Sequence, residues 1–378
     1  MVSGLKLKAL LFANTDWYLY NFRLPLAIAL REAGYEVVCV SPPGRFGERL
    51  RAAGFRWIEF PFSRPSQNPF AELITIARLW RLYRAERPSV VHHFTIKCVI
   101  YGSLVARLMG IRGVINAITG AGHIFIDKSW KSRMIRPLVR AMYRVALPGS
   151  RVIFQNNDDL ELFVSNRLLD PDSFSMIRGS GVNVDRFHPV SRPEPNDRVT
   201  VLFASRLLWS KGLAEYVAAA AQLRSHVPKA RFLMAGEADA GNPAAIPDEI
   251  LRGWHAQGAI EFLGHVEDMP TLLSETDLVV LPSYREGVPR ILTEAAASGL
   301  PLVAADAPGS RDIVWDGENG FLVPLRDAHR LAEAISRLIS DRELRLRMGA
   351  RSREIACRTF DEAIVLRETL SIYRALTR

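Results

Sequence analysis

Two short stretches in the second half of the chain carry side chains suited to an anionic, polyhydroxylated ligand. The first reads Ser283-Tyr-Arg-Glu286-Gly287-Val288-Pro289-Arg290-Ile-Leu-Thr-Glu294. It sets one carboxylate at a glycine turn and a second roughly two helical turns further on. A carboxylate accepts several hydrogen bonds, so such a pair suits vicinal hydroxyls on two different sugar units. Pro289 fits the first turn of a helix, and the amide N–H groups near Gly287 and Val288 would then face a phosphate. The second stretch, Ala204-Ser-Arg206-Leu-Leu-Trp-Ser-Lys211-Gly212, follows a predicted strand and opens a helix. Arg206 and Lys211 lie across a turn and can point two cations at one diphosphate. Taken by spacing alone, either set also describes ordinary surface charges beside a loop.

The first half offers weaker constellations. His92 and His93 are neighbours on a predicted strand, so their side chains point to opposite faces and cannot share a metal. One belongs in the core. The other, with Thr95 and Lys97, is a candidate to face a ligand cleft, where Lys97 would meet an acceptor phosphate. Asp158 and Asp159 are adjacent and read as the opening of a helix. Cys39, Cys98 and Cys357 lie far apart, which fits a reducing compartment and no zinc or disulfide framework.

Short apolar, β-branched runs alternate with helical patterns along the whole chain. They are Leu7–Ala13, Glu36–Ser41, Val90–Phe94, Val114–Ile118, Val152–Gln155 and Phe174–Ile177, then Val199–Ala204, Arg231–Ala235, Ile260–Leu263, Leu278–Pro282, Pro301–Ala304 and Gly320–Val323. Near-continuous hydrophobicity marks parallel strands covered on both faces. Crossover helices such as Leu24–Ala33 and Leu213–Arg224 separate them. The expected fold class is α/β, with two doubly wound, Rossmann-like domains facing across a cleft. The expected division is 1–187, a proline-rich linker 188–197, a second domain 198–360, and a C-terminal helix 361–378 that crosses back to the first. Ligands in such sheets bind beyond the carboxyl ends of the strands, which is where both motifs fall.

Length and composition narrow the class. The 378 residues, 48% hydrophobic and 24% charged, describe a globular chain of two domains. The apolar stretch 104–118 is broken by Arg107 and Arg112, so a spanning helix is not expected, and the first residues lack a signal-peptide layout. The net charge of +9 is uneven: residues 1–185 hold 25 Lys and Arg against 14 Asp and Glu, and residues 186–378 hold 24 against 26. The basic half concentrates its charge in Arg78–Arg87 and in 128–151, where Arg133, Arg136, Arg140 and Arg144 alternate with Trp130, Leu138 and Tyr143. Mixed basic and aromatic helices suit an anionic membrane surface. A solvated helix face with Trp80 and Trp130 turned into the core is the plain alternative. Nucleic acid is disfavoured as a partner, because no recognised nucleic-acid-binding motif is present.

Arg206 with Lys211, the Glu286-Gly-x-Pro and Glu294 pair, Ala305-Asp306-x-Pro-Gly309-x-Arg311-Asp312 and Gly317-x-Asn319-Gly320-Phe-Leu-Val-Pro324 together resemble family 4 glycosyltransferases of the GT-B fold. Phe262-Leu-Gly264-His-Val266-Glu-Asp-Met-Pro270, Tyr284-Arg-Glu-Gly-Val-Pro-Arg and His92-His-Phe-Thr-Ile-Lys97 resemble a branch that adds a sugar, often N-acetylgalactosamine, to polyprenyl-diphosphate-linked saccharides in bacterial glycan assembly. The resemblance implies retaining, metal-independent transfer of a hexose or N-acetylhexosamine from a UDP-sugar, with no cofactor. It implies an enzyme peripheral on the cytoplasmic face of the inner membrane. Arg206 and Lys211 would hold the diphosphate, Glu286 the donor sugar, Glu294 the ribose, and Gly264 and Val266 the base. No Asp-x-Asp pair is placed to carry a divalent cation.

The first half departs from the wider family. Asn14-Thr-Asp16-Trp stands where a Gly-Gly pair is usual, and Thr119 stands where a His is usual, followed by Gly120 and His123. Asn14, Asp16, Thr119, Gly120 and His123, with His93 and Lys97, are therefore the candidates for acceptor or donor-sugar contact. Two other readings share the architecture: a nucleotide-sugar 2-epimerase, and a non-catalytic module that binds sugar nucleotides.

Overall fold

The computed structural model describes residues 6–63, 68–120, 130–170, 172–190, 198–239, 242 and 244–377. The chain forms two compact units, one made of Met1–Ser180 with Val365–Arg378 and the other of Gly181–Ile364.

The first unit is built on β1 (Lys8–Phe12), β2 (Glu36–Ser41), β3 (Arg56–Glu59), β4 (Val90–Phe94), β5 (Gly113–Ile118), β6 (Arg151–Phe154) and β7 (Phe174–Met176). They form one sheet in the order β3-β2-β1-β4-β5-β6-β7, and every pairing is parallel. Residues 9–12 of β1 and the whole of β4 and β5 are buried, as the unbroken apolar runs predict for strands with a helix layer on each face. One layer contributes Leu79, Tyr83, Cys98, Val105 and Tyr143; the other contributes Leu26, Leu30, Ile372 and Tyr373. The only strand of this sheet missing from the sequence reading is β3. Its Arg-Trp-Ile-Glu alternates because it lies at the sheet edge, and only Trp57 is fully buried.

The second unit has β8 (Val199–Ala204), β9 (Ala230–Ala235), β10 (Glu261–Gly264), β11 (Leu278–Leu281), β12 (Leu302–Ala305) and β13 (Gly320–Val323), again all parallel, in the order β10-β9-β8-β11-β12-β13. Residues 181–187 were expected with the first half. They pack here instead, with Val182 and Phe187 in this unit's core. Residues 191–197 of the expected linker lie outside the described residues. The last helix, Glu362–Leu376, gives Val365, Ile372 and Tyr373 to the core of the first unit.

In each sheet the strand order reverses direction once, between β1 and β4 in the first unit and between β8 and β11 in the second. At such a point the loops leaving two neighbouring strands part to opposite faces and open a crevice at the carboxyl edge.

Candidate functional site

The loops that leave β8 and β11 are stitched together at the reversal point of the second sheet. Tyr284 N–H donates to Ser210 O at 2.9 Å, and Ser283 Oγ donates to the same carbonyl at 3.2 Å. Gly212 makes this approach possible. Its φ is +75°, and a Cβ there would sit 2.2 Å from Pro282 O. The loop after β12 closes the other side: Glu286 N–H donates to Pro308 O at 3.0 Å, and a Cβ on Gly309 would lie 2.4 Å from Gly287 O. These glycines hold three loops within backbone contact, which fixes the side chains they carry.

Lys211 ends a single turn of helix, Trp209–Lys211, and its Nζ donates to Glu286 Oε1. Both side chains are half-buried. Arg206 is 51% exposed at its side chain, and its Nη1 meets Asp239 Oδ2 at 2.8 Å. Asp239 is steadied by Asn242 Nδ2 at 3.0 Å. Glu294 is buried in the helix Arg290–Ala297, where Arg290 Nε donates to its Oε1 at 2.6 Å. Burial pushes the Glu294 carboxyl above its ordinary range, against the lowering pull of Arg290. Pro289 immediately precedes that helix rather than sitting in its first turn, and no side chain caps the helix start. Gly287 and Val288 are half-buried beside it. Gly264 ends β10 with φ +65° and open space where a Cβ would be, while Val266 packs on the core.

The structure therefore brings Arg206, Lys211, Glu286, Glu294 and Gly264 to the carboxyl edge of one sheet. Sequence spacing missed two partners. Arg290 was legible, since it stands four residues before Glu294 on one helix. Asp239 was not, because it lies in an irregular loop 33 positions from Arg206.

In the first unit, Asn14, Thr119 and Gly120 follow β1 and β5 and are half-buried at the carboxyl edge of that sheet. Three other candidates are placed differently. Asp16 accepts from the N–H groups of Trp17, Phe46 and Gly47 at 2.7, 2.6 and 2.9 Å, so both its oxygens are spent on backbone donors. His93 does not face a ligand. It is fully buried between Tyr83 Oη and Asn116 Oδ1, each 2.8 Å away. Lys97 is paired with Glu72 at 2.6 Å and bonded to Ser63 O at 3.0 Å, which neutralises the cation proposed for an acceptor phosphate. His123 lies outside the described residues. Asn156 caps the helix Asn157–Ser165, and Asp158 and Asp159 occupy its first turn.

The helix Trp130–Ala146 buries Val139, Tyr143 and Ala146 and leaves Trp130, Met134 and Leu138 exposed at 67%, 72% and 61%. Trp130 and Trp80 are not in the core. Arg133 and Arg144 are exposed, whereas Arg136 and Arg140 are half-buried. Arg144 also donates to Asn166 O at 2.9 Å. Among the described residues no helix is long and apolar enough to cross a membrane, and no three His, Cys, Asp or Glu residues cluster as a metal site.

Comparison with known proteins agrees with this architecture. Residues 184–355 match the family described as glycosyl transferases group 1, and residues 8–157 match the one described as glycosyl transferase 4-like. The chain is similar to the N,N'-diacetylbacillosaminyl-diphospho-undecaprenol alpha-1,3-N-acetylgalactosaminyltransferase of Campylobacter jejuni, with 29% identity over 94% of this chain and 95% of that one. It is 32% identical to the putative glycosyltransferase EpsD of Bacillus subtilis over 97% of this chain and 96% of that one. Among solved structures, a glycosyltransferase from Rickettsia africae has a TM-score of 0.78 at 20% identity and covers 99% of both chains. Anabaena HepE in complex with UDP has a TM-score of 0.76 at 19% identity, covering 98% of this chain and 100% of that one. With Arg206, Lys211 and the Glu286–Glu294 pair at the carboxyl edge of one of two parallel sheets, the chain belongs to the glycosyltransferases of group 1 and 4-like type, on the GT-B fold.

Proposed function

We propose that this glycosyltransferase moves a hexose or N-acetylhexosamine, with retention of configuration, from a UDP-sugar to a polyprenyl-diphosphate-linked saccharide at an anionic membrane surface. The observation that carries the donor assignment is the Lys211–Glu286 pair at the reversal point of the second sheet, with Arg206 beside it. When the bond to the sugar breaks, negative charge accumulates on the departing UDP. A fixed ammonium and guanidinium stabilise that charge without a metal, and the uncapped start of the helix Arg290–Ala297 adds N–H donors and a favourable dipole. Glu286 accepts from donor-sugar hydroxyls, Glu294 from the ribose diol, and the backbone at Gly264 with Val266 borders the base.

The acceptor assignment draws on the named activities of the relatives from Campylobacter jejuni and from Escherichia coli, the latter a UDP-Gal:alpha-D-GlcNAc-diphosphoundecaprenol alpha-1,3-galactosyltransferase 25% identical over 73% of this chain. Asn14, Thr119 and Gly120 are the first-unit groups we assign to the saccharide. The exposed apolar and basic face of the helix Trp130–Ala146 supports the membrane assignment.

The test is a screen of UDP-sugars with a polyprenyl-diphosphate saccharide, in the presence and absence of EDTA, following UDP release and the glycolipid product. Sugar transfer that survives EDTA supports the reading. Conversion of the donor to its epimer without acceptor, or UDP binding without product on any acceptor, overturns it.

A further inference from the structure

We propose that Arg23 anchors a second anion site, at the reversal point of the first sheet, that takes a phosphoryl oxyanion. Only the source of that oxyanion rests on the transferase reading above.

Five Asp, Glu, Lys or Arg residues are buried among the described residues: Asp16, Arg23, Glu86, Asp159 and Glu294. The protein answers four of these charges itself. Asp16 takes three backbone N–H groups, Glu86 is met by Lys8 and Arg56, Asp159 by Asn156 Nδ2, and Glu294 by Arg290. Among the described residues Arg23 has one neutral acceptor for its five N–H donors. It is 7% exposed, and its Nε and Nη2 both donate to a single neutral oxygen, Tyr18 Oη, at 3.1 and 2.6 Å. No carboxylate among the described residues pairs with it. Burying a cation without a counter-charge is costly, and an arrangement that persists in this form suits an anion brought by a ligand.

The guanidinium is held for such a ligand. Its Cζ lies over the Phe94 ring, 4.5 Å from the centroid, with the Tyr18 ring at 5.3 Å. The Phe94 ring and the Tyr18 hydroxyl hold the fork, so little side-chain freedom is left to lose on binding. Nη1 makes no hydrogen bond among the described residues, yet it is not one of the buried polar atoms sealed from solvent, so that edge of the fork opens outward. A free, oriented guanidinium edge matches a phosphoryl group, whose oxygens accept two parallel bonds.

The location supports the same conclusion. Arg23 ends the π-helical turn Leu19–Arg23 that follows β1, and Phe94 is the last residue of β4. These are the two strands between which the order reverses, so Arg23 stands in the first unit where Lys211 and Glu286 stand in the second. His92 is packed on the same Phe94 ring, 4.2 Å between centroids. Its Nδ1 meets Tyr373 Oη at 3.0 Å, while its Nε2 is buried with no partner among the described residues. A second buried polar atom without a partner among the described residues thus lies against the ring that carries the guanidinium.

The experiment is a calorimetric titration of the full chain with inorganic pyrophosphate in an Arg206→Ala/Lys211→Ala background, which removes the cations of the second unit. The background variant is expected to retain pyrophosphate binding, and adding Arg23→Met to weaken it about tenfold or more. Arg23→Lys keeps the charge and loses the planar fork, so an intermediate affinity is expected. No pyrophosphate binding in the background, or the same affinity with and without Arg23→Met, overturns the proposal. Should Arg23→Met lose its cooperative melt, an Arg23→Lys affinity equal to the background overturns it. This titration needs neither donor nor acceptor, so it fails separately from the transferase reading. With Arg206 and Lys211 intact, Arg23→Lys raising KM for the lipid-linked acceptor alone assigns the oxyanion to the acceptor, and raising KM for the donor alone assigns it to the donor. Neither constant moving overturns the site as a substrate site.

Discussion

Lys211 Nζ and Glu286 Oε1 are hydrogen-bonded across 75 positions of sequence, and the two side chains are almost equally shielded, at 14% and 13% exposure. One partner comes from the loop after β8 and the other from the loop after β11, so the pair exists only because those strands are neighbours in the sheet. Without ligand each group is the other's counter-ion. In the proposed reading an incoming donor would offer a diphosphate to the ammonium and hydroxyls to the carboxylate, so both would change partners without either being left unpaired.

Lys211→Ala is accordingly expected to lower kcat by about 100- to 1,000-fold, the usual cost of removing one stabilising donor from a developing anion. Glu286→Ala is expected to cost at least as much, because it removes a donor-sugar contact and leaves Lys211 without its native partner. Steady-state UDP release, with melting temperature as the control for folding, checks both. Turnover within a few-fold of the parent would refute the placement.

Glu294 gives a pH signature. Its folded carboxyl titrates above the ordinary carboxylate range through burial, so the free protein retains that proton to a higher pH than the unfolded chain does. This contribution to stability is present below the unfolded pKa and is lost as pH rises through the folded value. The charged form is the better acceptor for a ribose diol, so UDP affinity is expected to fall as pH drops through the raised pKa. Glu294→Gln should flatten that dependence and weaken UDP by about tenfold. It should also erase the preference for UDP over its 2'-deoxy analogue, read by calorimetry across pH.

His93 makes a second pH prediction, this one about stability. Asn116 Oδ1 also accepts from Ser103 Oγ at 2.9 Å, so His93 Nδ1 must donate to it, which leaves Nε2 to accept from Tyr83 Oη. The network holds a neutral imidazole, and burial pushes its pKa down to about 4. The unfolded state then binds the extra proton first. Stability is full above the unfolded value near 6.5 and is lost progressively as pH falls toward 4, by about 3 kcal/mol in total. Urea melts at pH 7 and pH 4.5 should show a smaller acid penalty for His93→Gln than for the parent. Equal penalties would remove His93 as the cause.

The face of the helix Trp130–Ala146 predicts binding to anionic vesicles. Trp130→Ser with Leu138→Ser should reduce co-sedimentation by removing exposed apolar area, with little change in melting temperature because neither residue is buried. Arg133→Glu should add a loss that high salt abolishes, at roughly 1 kcal/mol per basic residue near the headgroups. Unchanged sedimentation in the triple variant would exclude this face.

The sequence by itself determined the fold class, every strand but β3, and the placement of Arg206, Lys211, Glu286 and Glu294 beyond the carboxyl ends of one sheet's strands. Buried parallel strands must be unbroken apolar runs, and Glu286 and Glu294 sit on one strand-to-helix connection, so local spacing carries their relationship. Only the tertiary structure decided which charges are free to meet a ligand. Asp16, His93 and Lys97 read as site residues from position alone, yet backbone amides, Asn116 with Tyr83, and Glu72 occupy them. Arg23 carries no motif, although among the described residues it is the buried cation without a carboxylate partner. The physical reason is common to all four. Whether a polar or ionised group is spent or available depends on partners the fold brings from other positions, and spacing along the chain does not encode that.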